Sequence, residues 1–366
     1  MPPNHRLLSL DVFRGITMMV MIIVNSPGNE TSFSILEHSA WNGCTLADLV
    51  FPFFVFIVGV SSVLTIEKQQ AEGISFGLLL GKIGRRTLLL FLIGVLLNAV
   101  SLQVDWSTLR LLGVLQRIAI CYGISSVLYV TTSIRMQALI AGFLLLGYWM
   151  IMSVSQGSNP FTMTGNVAAY LDRVLISPAH MYTHDYEPEG LLSTLPAIAT
   201  ALLGNLVGAW LCLPYASSKK CAGLVMAGVI CSIIGWYWGD VFPINKTLWT
   251  SSYVAWTGGM ALLTFAGFYW LLEMKGCKNW SKPFQIFGAS ALSVYILHVL
   301  FLKIQAMILI SVPGAAPVNV RVFLTQTIFP SFERKTASLL YAMSYMLCWL
   351  VIMLCSVRKV RTSHGA

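Results

Sequence analysis

The chain has 366 residues, of which 57% are hydrophobic and only 10% charged, whereas soluble domains carry about 25% charged residues. With a mean hydropathy of +0.75, this composition excludes a soluble globular domain and points to a polytopic membrane protein. The net charge of +9 does not imply nucleic acid, because the basic residues lie in short loops between apolar runs, where orientation signals belong.

Apolar runs of about 20 residues predict an all-α membrane helix bundle of ten spans, over 9–26, 46–66, 84–101, 111–131, 136–155, 190–212, 221–238, 248–272, 284–306 and 337–357. No internal repeat or low-complexity tract interrupts them, so residues 1–366 read as one transmembrane domain. His5 and Arg6 before the first run give it a superficial likeness to a signal peptide. Asp11 and Arg14 lie inside that run and no small-residue cleavage site follows, so the first helix reads as uncleaved. Fourteen Lys and Arg residues fall on one set of loops and termini and six on the other, which predicts that both termini are cytoplasmic. The loop with His38, the 156–189 loop and the Asn245–Lys246 segment then share the outer face. Of the cysteines, Cys121, Cys212, Cys231, Cys348 and Cys355 fall inside or at the ends of apolar segments without CxxC spacing. They read as small buried hydrophobes, and neither a metal site nor a disulfide framework is expected.

In chain order, Asp11 and Arg14 share a helix face at i, i+3 and can pair. Asn25 closes the first span before Pro27-Gly28; its amide either donates to a developing oxyanion or caps the helix C-terminus. His38 follows in a loop, 27–45, with Glu30 and Glu37 but no lysine or arginine. Imidazole is the side chain best suited to move protons near neutral pH, so His38 is the first candidate for a general base. Asp48 enters the second span, where an acid needs a partner or a polar cavity. It either orients His38 or an acceptor amine, or is a first-turn acid favoured by the helix dipole, with Thr45 as the N-cap. Arg117 is expected to pair with an acid of the bundle. His298, inside the ninth span, is either a functional group at membrane depth or a hydrogen-bonded core histidine. The Ser311–Lys335 segment, with Pro313, Pro317 and Pro330, reads as a partly structured outer loop.

His38-Ser-Ala-Trp41-Asn42-Gly43, running on through Asp48 to Gly59, resembles the signature of the heparan-α-glucosaminide N-acetyltransferase family. Asp11-Val-Phe-Arg14-Gly15 is similar to the family's opening, more weakly, since related membrane acyltransferases open alike. Leu171-Asp172-Arg173, Glu187-Pro-Glu189-Gly-Leu-Leu-Ser-Thr194 and Asn245-Lys246-Thr-Leu-Trp249-Thr250 resemble further elements in family order. Glu187 stands where the family commonly has aspartate, a departure that puts the role of that position in doubt.

The resemblance implies transfer of an acetyl group from acetyl-CoA to an amino sugar or related glycan, with the histidine at position 38 as the active-site residue. It implies Asn25 near that histidine and makes Trp41, Asn42, Glu189, Thr194, Asn245, Lys246, Trp249 and His298 candidates for acceptor binding. Donor phosphates would meet Arg14 or the Lys82, Arg85 and Arg86 cluster, which otherwise reads as an inside-positive anchor. His38 would act either as base on the acceptor amine or as a transient acetyl carrier. The rival readings are a sugar transporter and an O-acetyltransferase acting on a cell-envelope glycan. The short N-terminus suggests a bacterial cytoplasmic membrane, or a lysosomal one in a eukaryote. Expected partners are the bilayer and the acceptor, not nucleic acid; a homodimer rests only on dimers being common.

Overall fold

The computed structural model describes residues 7–101, 105–154, 160–311 and 316–363, with side chains up to Ser356. His5, Arg6 and Pro313 lie outside the described residues, as do the side chains of Arg358, Lys359 and Arg361.

The chain is helical almost throughout. Its helices are α1 (Leu8–Asn25), α2 (Leu46–Ala71), α3 (Phe76–Ala99), α4 (Val114–Thr131), α5 (Ile134–Ser153), α6 (Val167–Leu175) and α7 (Thr194–Cys212). There follow α8 (Ser217–Trp238), α9 (Ser251–Tyr269), α10 (Lys282–Ala289), α11 (Ala291–Met307), α12 (Val320–Ile328) and α13 (Arg334–Ser363). Each of the ten predicted runs falls on a helix or a helix pair. Among the described residues, eight helices are long and apolar enough to cross a membrane, and a ninth span arises if the bent pair α10–α11 counts as one. The pair bends by 78° around Ser290, a break that the continuous apolar run does not announce. The remaining run lies on α3, which carries Lys82, Arg85 and Arg86 within a stretch otherwise apolar enough to span.

Two short helices were not anticipated. Helix α6 sits in the long 156–189 loop, capped by the Asn166 side chain accepting from Ala169 N at 2.7 Å. Helix α12 follows a small antiparallel pair, β1 (Leu309–Ile310) with β2 (Val318–Asn319). The 311–335 segment is thus the partly structured loop that its prolines suggest.

Helices α1, α2, α7 and α9 form the buried centre, whereas α5 and α8 leave most of their apolar surface outward, where lipid would lie. Hydrocarbon supplies no hydrophobic drive between helices, so close contact depends on small residues. The α2–α7 crossing shows this. A Cβ on Gly59 would come within 2.1 Å of Ala201 O, and one on Gly204 within 2.2 Å of Phe56 O. Pro52 inside α2 cannot donate to the carbonyl four residues back, which is that of Asp48. The Tyr253 hydroxyl of α9 donates to that freed oxygen at 2.5 Å.

Replacing Gly204 with leucine is therefore expected to separate α2 from α7 and cost at least about 1–3 kcal/mol. Gly142 on α5, where an added Cβ meets nothing within 4 Å, should accept alanine with a change below about 0.5 kcal/mol. Thermal unfolding of both variants in detergent would check the contrast.

Candidate active site

The 26–45 segment turns back over the start of α2, and one carboxylate organises it. Asp48 is fully buried and its Oδ2 accepts from Ser39 N at 3.0 Å, Thr45 N at 3.1 Å and the Thr45 hydroxyl at 3.1 Å. Asp48 therefore closes the N-terminal turn of α2 behind the N-cap Thr45. Its other oxygen, Oδ1, lies 2.8 Å from His38 Nδ1. The two oxygens divide the contacts, one closing the helix turn and the other meeting the imidazole. A carboxylate can only accept, so Nδ1–H donates, and in the neutral ring the second nitrogen, Nε2, then carries the lone pair. The His38 side chain is 49% exposed, so that lone pair can be reached.

The segment between α8 and α9 brings a cation to this pair. Lys246 Nζ lies 3.4 Å from Asp48 Oδ1, 2.9 Å from His38 Nδ1 and 3.2 Å from His38 Nε2. Asn245 is wholly buried and holds the turn: its Nδ2 donates to Asn42 Oδ1 at 3.1 Å, and its Oδ1 accepts from Leu248 N at 2.8 Å. Trp249 follows at φ 50°, a left-handed conformation unusual for a bulky residue. Its ring is fixed by Thr200, which accepts from Nε1 at 3.2 Å, by the edge of Phe51 and by the Arg117 guanidinium 5.1 Å above it. Arg117 does not take the acid partner expected of it. Its Nη2 donates to Gly190 O at 3.1 Å and Ser193 Oγ at 2.5 Å, and among the described residues no carboxylate lies within ion-pair distance.

A third wall comes from the loop before α7. Arg110 is clamped between Glu187 and Glu189, with Nε donating to Glu187 Oε2 at 3.0 Å. The Glu187 side chain is fully buried and also accepts from Tyr182 N at 2.8 Å and Glu189 N at 3.1 Å. The residue that departs from the family pattern is thus the organiser of this loop.

These walls enclose one cavity of about 760 Å³, within the usual range for ligand sites. It touches α2 at Ala47, Phe51, Phe54, Val58, Ser61 and Thr65, a stripe stepping by three and four residues that covers about 27 Å of helix. Asn25, His38, Asp48, Glu189, Lys246 and Trp249 line one end. Arg14 and Arg86 line the other. Arg14 pairs with Asp11 at 3.4 Å as expected, and donates to Gly288 O at 3.2 Å and Ser61 Oγ at 2.5 Å. Arg86 lies over the Tyr122 ring at 4.7 Å.

Other candidates lie off the cavity. Lys82 and Arg85 are exposed and do not line it. Trp41 donates to Phe161 O at 2.8 Å, Asn42 serves the Asn245 turn, and the Thr194 hydroxyl donates to Gly190 O at 2.8 Å. His298 is fully buried between α11 and α13, with Nδ1 3.3 Å from the Tyr345 hydroxyl. Sequence reasoning passed over Arg110, Tyr182, Tyr186 and Tyr295, all of which line the cavity. Tyr295, three residues before His298 on the same helix, is the one that lines the cavity, while the burial of His298 and its Tyr345 contact match the core-histidine reading.

Beneath the Glu187–Gly190 turn, Asp172 is 1% exposed and accepts from Leu191 N at 2.9 Å. Burial pushes its carboxyl up to about 6, against the pull of that amide and with help from Glu187. Since the folded value is raised, its contribution is complete below the unfolded value of about 3.9 and is lost as pH rises through 6. Detergent-solubilised protein should therefore lose on the order of 2 kcal/mol between pH 4 and 7 relative to Asp172→Asn. Melting curves of the two proteins across that range would check it.

Residues 6–237 match the family described as heparan-alpha-glucosaminide N-acetyltransferase, catalytic. The human heparan-alpha-glucosaminide N-acetyltransferase is 31% identical over 364 residues, covering 82% of this chain and 53% of the human protein. The mouse protein of that name is 30% identical over 356 residues, covering 80% of this chain and 53% of its own length. The chain thus spans about half the length of these curated relatives. The matched region contains α1, the His38–Asp48 pair, the α2 stripe and the Glu187–Thr194 turn. This chain, a multi-pass membrane protein, belongs to the heparan-alpha-glucosaminide N-acetyltransferase family.

Proposed function

We propose that the protein transfers the acetyl group of acetyl-CoA to the amine of an amino sugar or related glycan. The observation that carries this reading is the single cavity that joins the His38–Asp48 pair to the Arg14 and Arg86 cations. The name of the human and mouse relatives supports the reaction class. The asymmetry of Lys and Arg among the loops supports ten spans with both termini cytoplasmic, counting α3 and the bent pair. Donor would then enter from the cytosol, with its phosphates at Arg14 and Arg86 and its thioester threaded along the α2 stripe. The acceptor would arrive at the outer mouth.

In this reading Asp48 fixes the His38 ring, and Nε2 takes a proton from the acceptor nitrogen as that nitrogen attacks the acetyl carbon. The C–S bond breaks, and the proton held on Nε2 passes to the departing sulfur, so that CoA leaves as the thiol. The Asn25 side chain is exposed to the cavity, where its amide can donate to the tetrahedral oxyanion. Glu189 attracts the acceptor's ammonium, while the Trp249 ring, only 1% exposed, backs the wall of the site instead of offering a free face to a sugar. If His38 instead carries the acetyl group, double-reciprocal plots will be parallel; direct transfer gives intersecting ones.

Thiol release from acetyl-CoA by purified protein with glucosamine is the test. Release should disappear in His38→Ala, and activity persisting there would remove the proposed centre. Asp48→Asn should lower kcat about 10²–10⁴-fold by loss of the oriented base. Asn25→Ala should lower it about 10²–10³-fold if its amide meets the oxyanion. Sugar accumulation in vesicles without acetyl-CoA would identify a transporter instead.

A further inference from the structure

We propose that Lys246 is an internal acceptor, acetylated on Nζ by the enzyme's own chemistry when no external amine is present. The proposal rests on the transferase reading above. Three observations converge on the Lys246 amine. Its Nζ touches the Asp48 carboxylate and the His38 ring together, the contacts that an acceptor's ammonium would seek. The near-equal distances to the two ring nitrogens place Nζ against the ring face. A hydrogen bond along either in-plane direction would carry it away from the other nitrogen. Lys246 therefore leaves the Nε2 lone pair open while staying within reach of a carbon placed beside it. Thirdly, Lys246 lines the same cavity as Arg14 and Arg86.

The amine is also chemically ready. Burial holds it below the ordinary lysine range, against the pull of Asp48 and Glu189, which raises the fraction with a free lone pair. The step balances without any further reagent. Neutral Nζ leaves the ring face to attack an acetyl carbon placed beside Nε2, the C–S bond breaks, and the proton lost by nitrogen passes along the Nε2 lone pair of His38 to the departing thiolate. The products are Nε-acetyl-lysine and CoA thiol. Acetylation removes the cation beside Asp48 and fills the mouth of the cavity, so the enzyme silences itself when acceptor runs out. An acceptor bound at His38 would shield Lys246 by occupying the same contacts.

The test is incubation of the full-length protein in detergent with deuterated acetyl-CoA and no acceptor, followed by peptide mass spectrometry after hydroxylamine treatment. Hydroxylamine removes acetyl from imidazole but spares the lysine amide. The expected result is labelling of Lys246 at least about tenfold above the exposed Lys68, Lys82 and Lys278, reflecting its held position. Labelling should fall in His38→Ala and with excess glucosamine, and thiol release on later addition of glucosamine should decline in parallel. Equal labelling of all these lysines, or labelling unchanged in His38→Ala, would overturn the proposal. Thiol release with glucosamine but no label on Lys246 would remove this inference alone. Absence of both would remove the transferase reading as well, whereas label on Lys246 without glucosamine-dependent release would uphold the inference and change only the acceptor.

Discussion

The Asp48 carboxylate is the constraint on which the outer half of the protein depends. A buried charge without partners costs several kcal/mol, and here the partners of the carboxylate come from two pieces of chain, the loop before α2 and the segment before α9. Ser39 and Thr45 bring the loop, His38 brings the base, Lys246 brings the segment before α9, and Tyr253 of α9 takes the backbone oxygen that Pro52 frees. Folding that loop and installing His38 are consequently one event. The same acid that starts α2 aims the imidazole, so a helix-capping device and a positioning device share one side chain.

Helix α2 then extends this arrangement across the bundle. One stripe, Ala47 to Thr65, faces the cavity. Another, through Phe56, Gly59 and Val60, lies so close to α7 that only glycine fits at Gly59 and Gly204. A 26-residue helix thereby links the His38 end to the Ser61–Arg14 end without an intervening loop. On the proposed reading, a single continuous helix would supply the rigid placement of reacting groups from which a large share of catalytic power arises.

Much of this was legible in the sequence. Hydropathy located every long helix, since apolar runs report directly on spans, and the Asp11–Arg14 pair followed from helical spacing. His38 and Asp48 stood out because polar groups at the start of an apolar helix demand a partner. The break at Ser290 was not read from the sequence, although Gly288 stands two residues before it, because glycine is common inside membrane helices and the run on either side is largely apolar. Nor was the split among the basic residues of α3. Lys82, Arg85 and Arg86 look alike in sequence, yet only the rotation of the helix brings Arg86 to the cavity over Tyr122. Arg110 was counted as an orientation charge, and its clamp by Glu187 and Glu189 joins residues 77 and 79 positions away. Such pairings depend on how loops fold over the bundle, which periodicity does not encode.

The charges that do line the cavity are not evenly spread, and their arrangement bears on what can enter from each side. At the His38 end, the lining Asp48 and Glu189, with Glu187 buried behind Arg110, stand against Arg110 and Lys246, a small acidic surplus that comes from the residue behind the wall. At the opposite end Arg14 is partly offset by Asp11, while Arg86 rests on an aromatic ring that leaves its charge intact. In a low-dielectric cleft such imbalances focus the field. On the proposed reading, the outer mouth favours a cationic amine and the inner mouth a polyanionic donor. The loss of one positive charge at Lys246 would deepen the outer surplus while closing the space beside His38. Attraction of the acceptor and access to the base would then oppose each other, and on that proposal a single lysine would govern the mouth of the site.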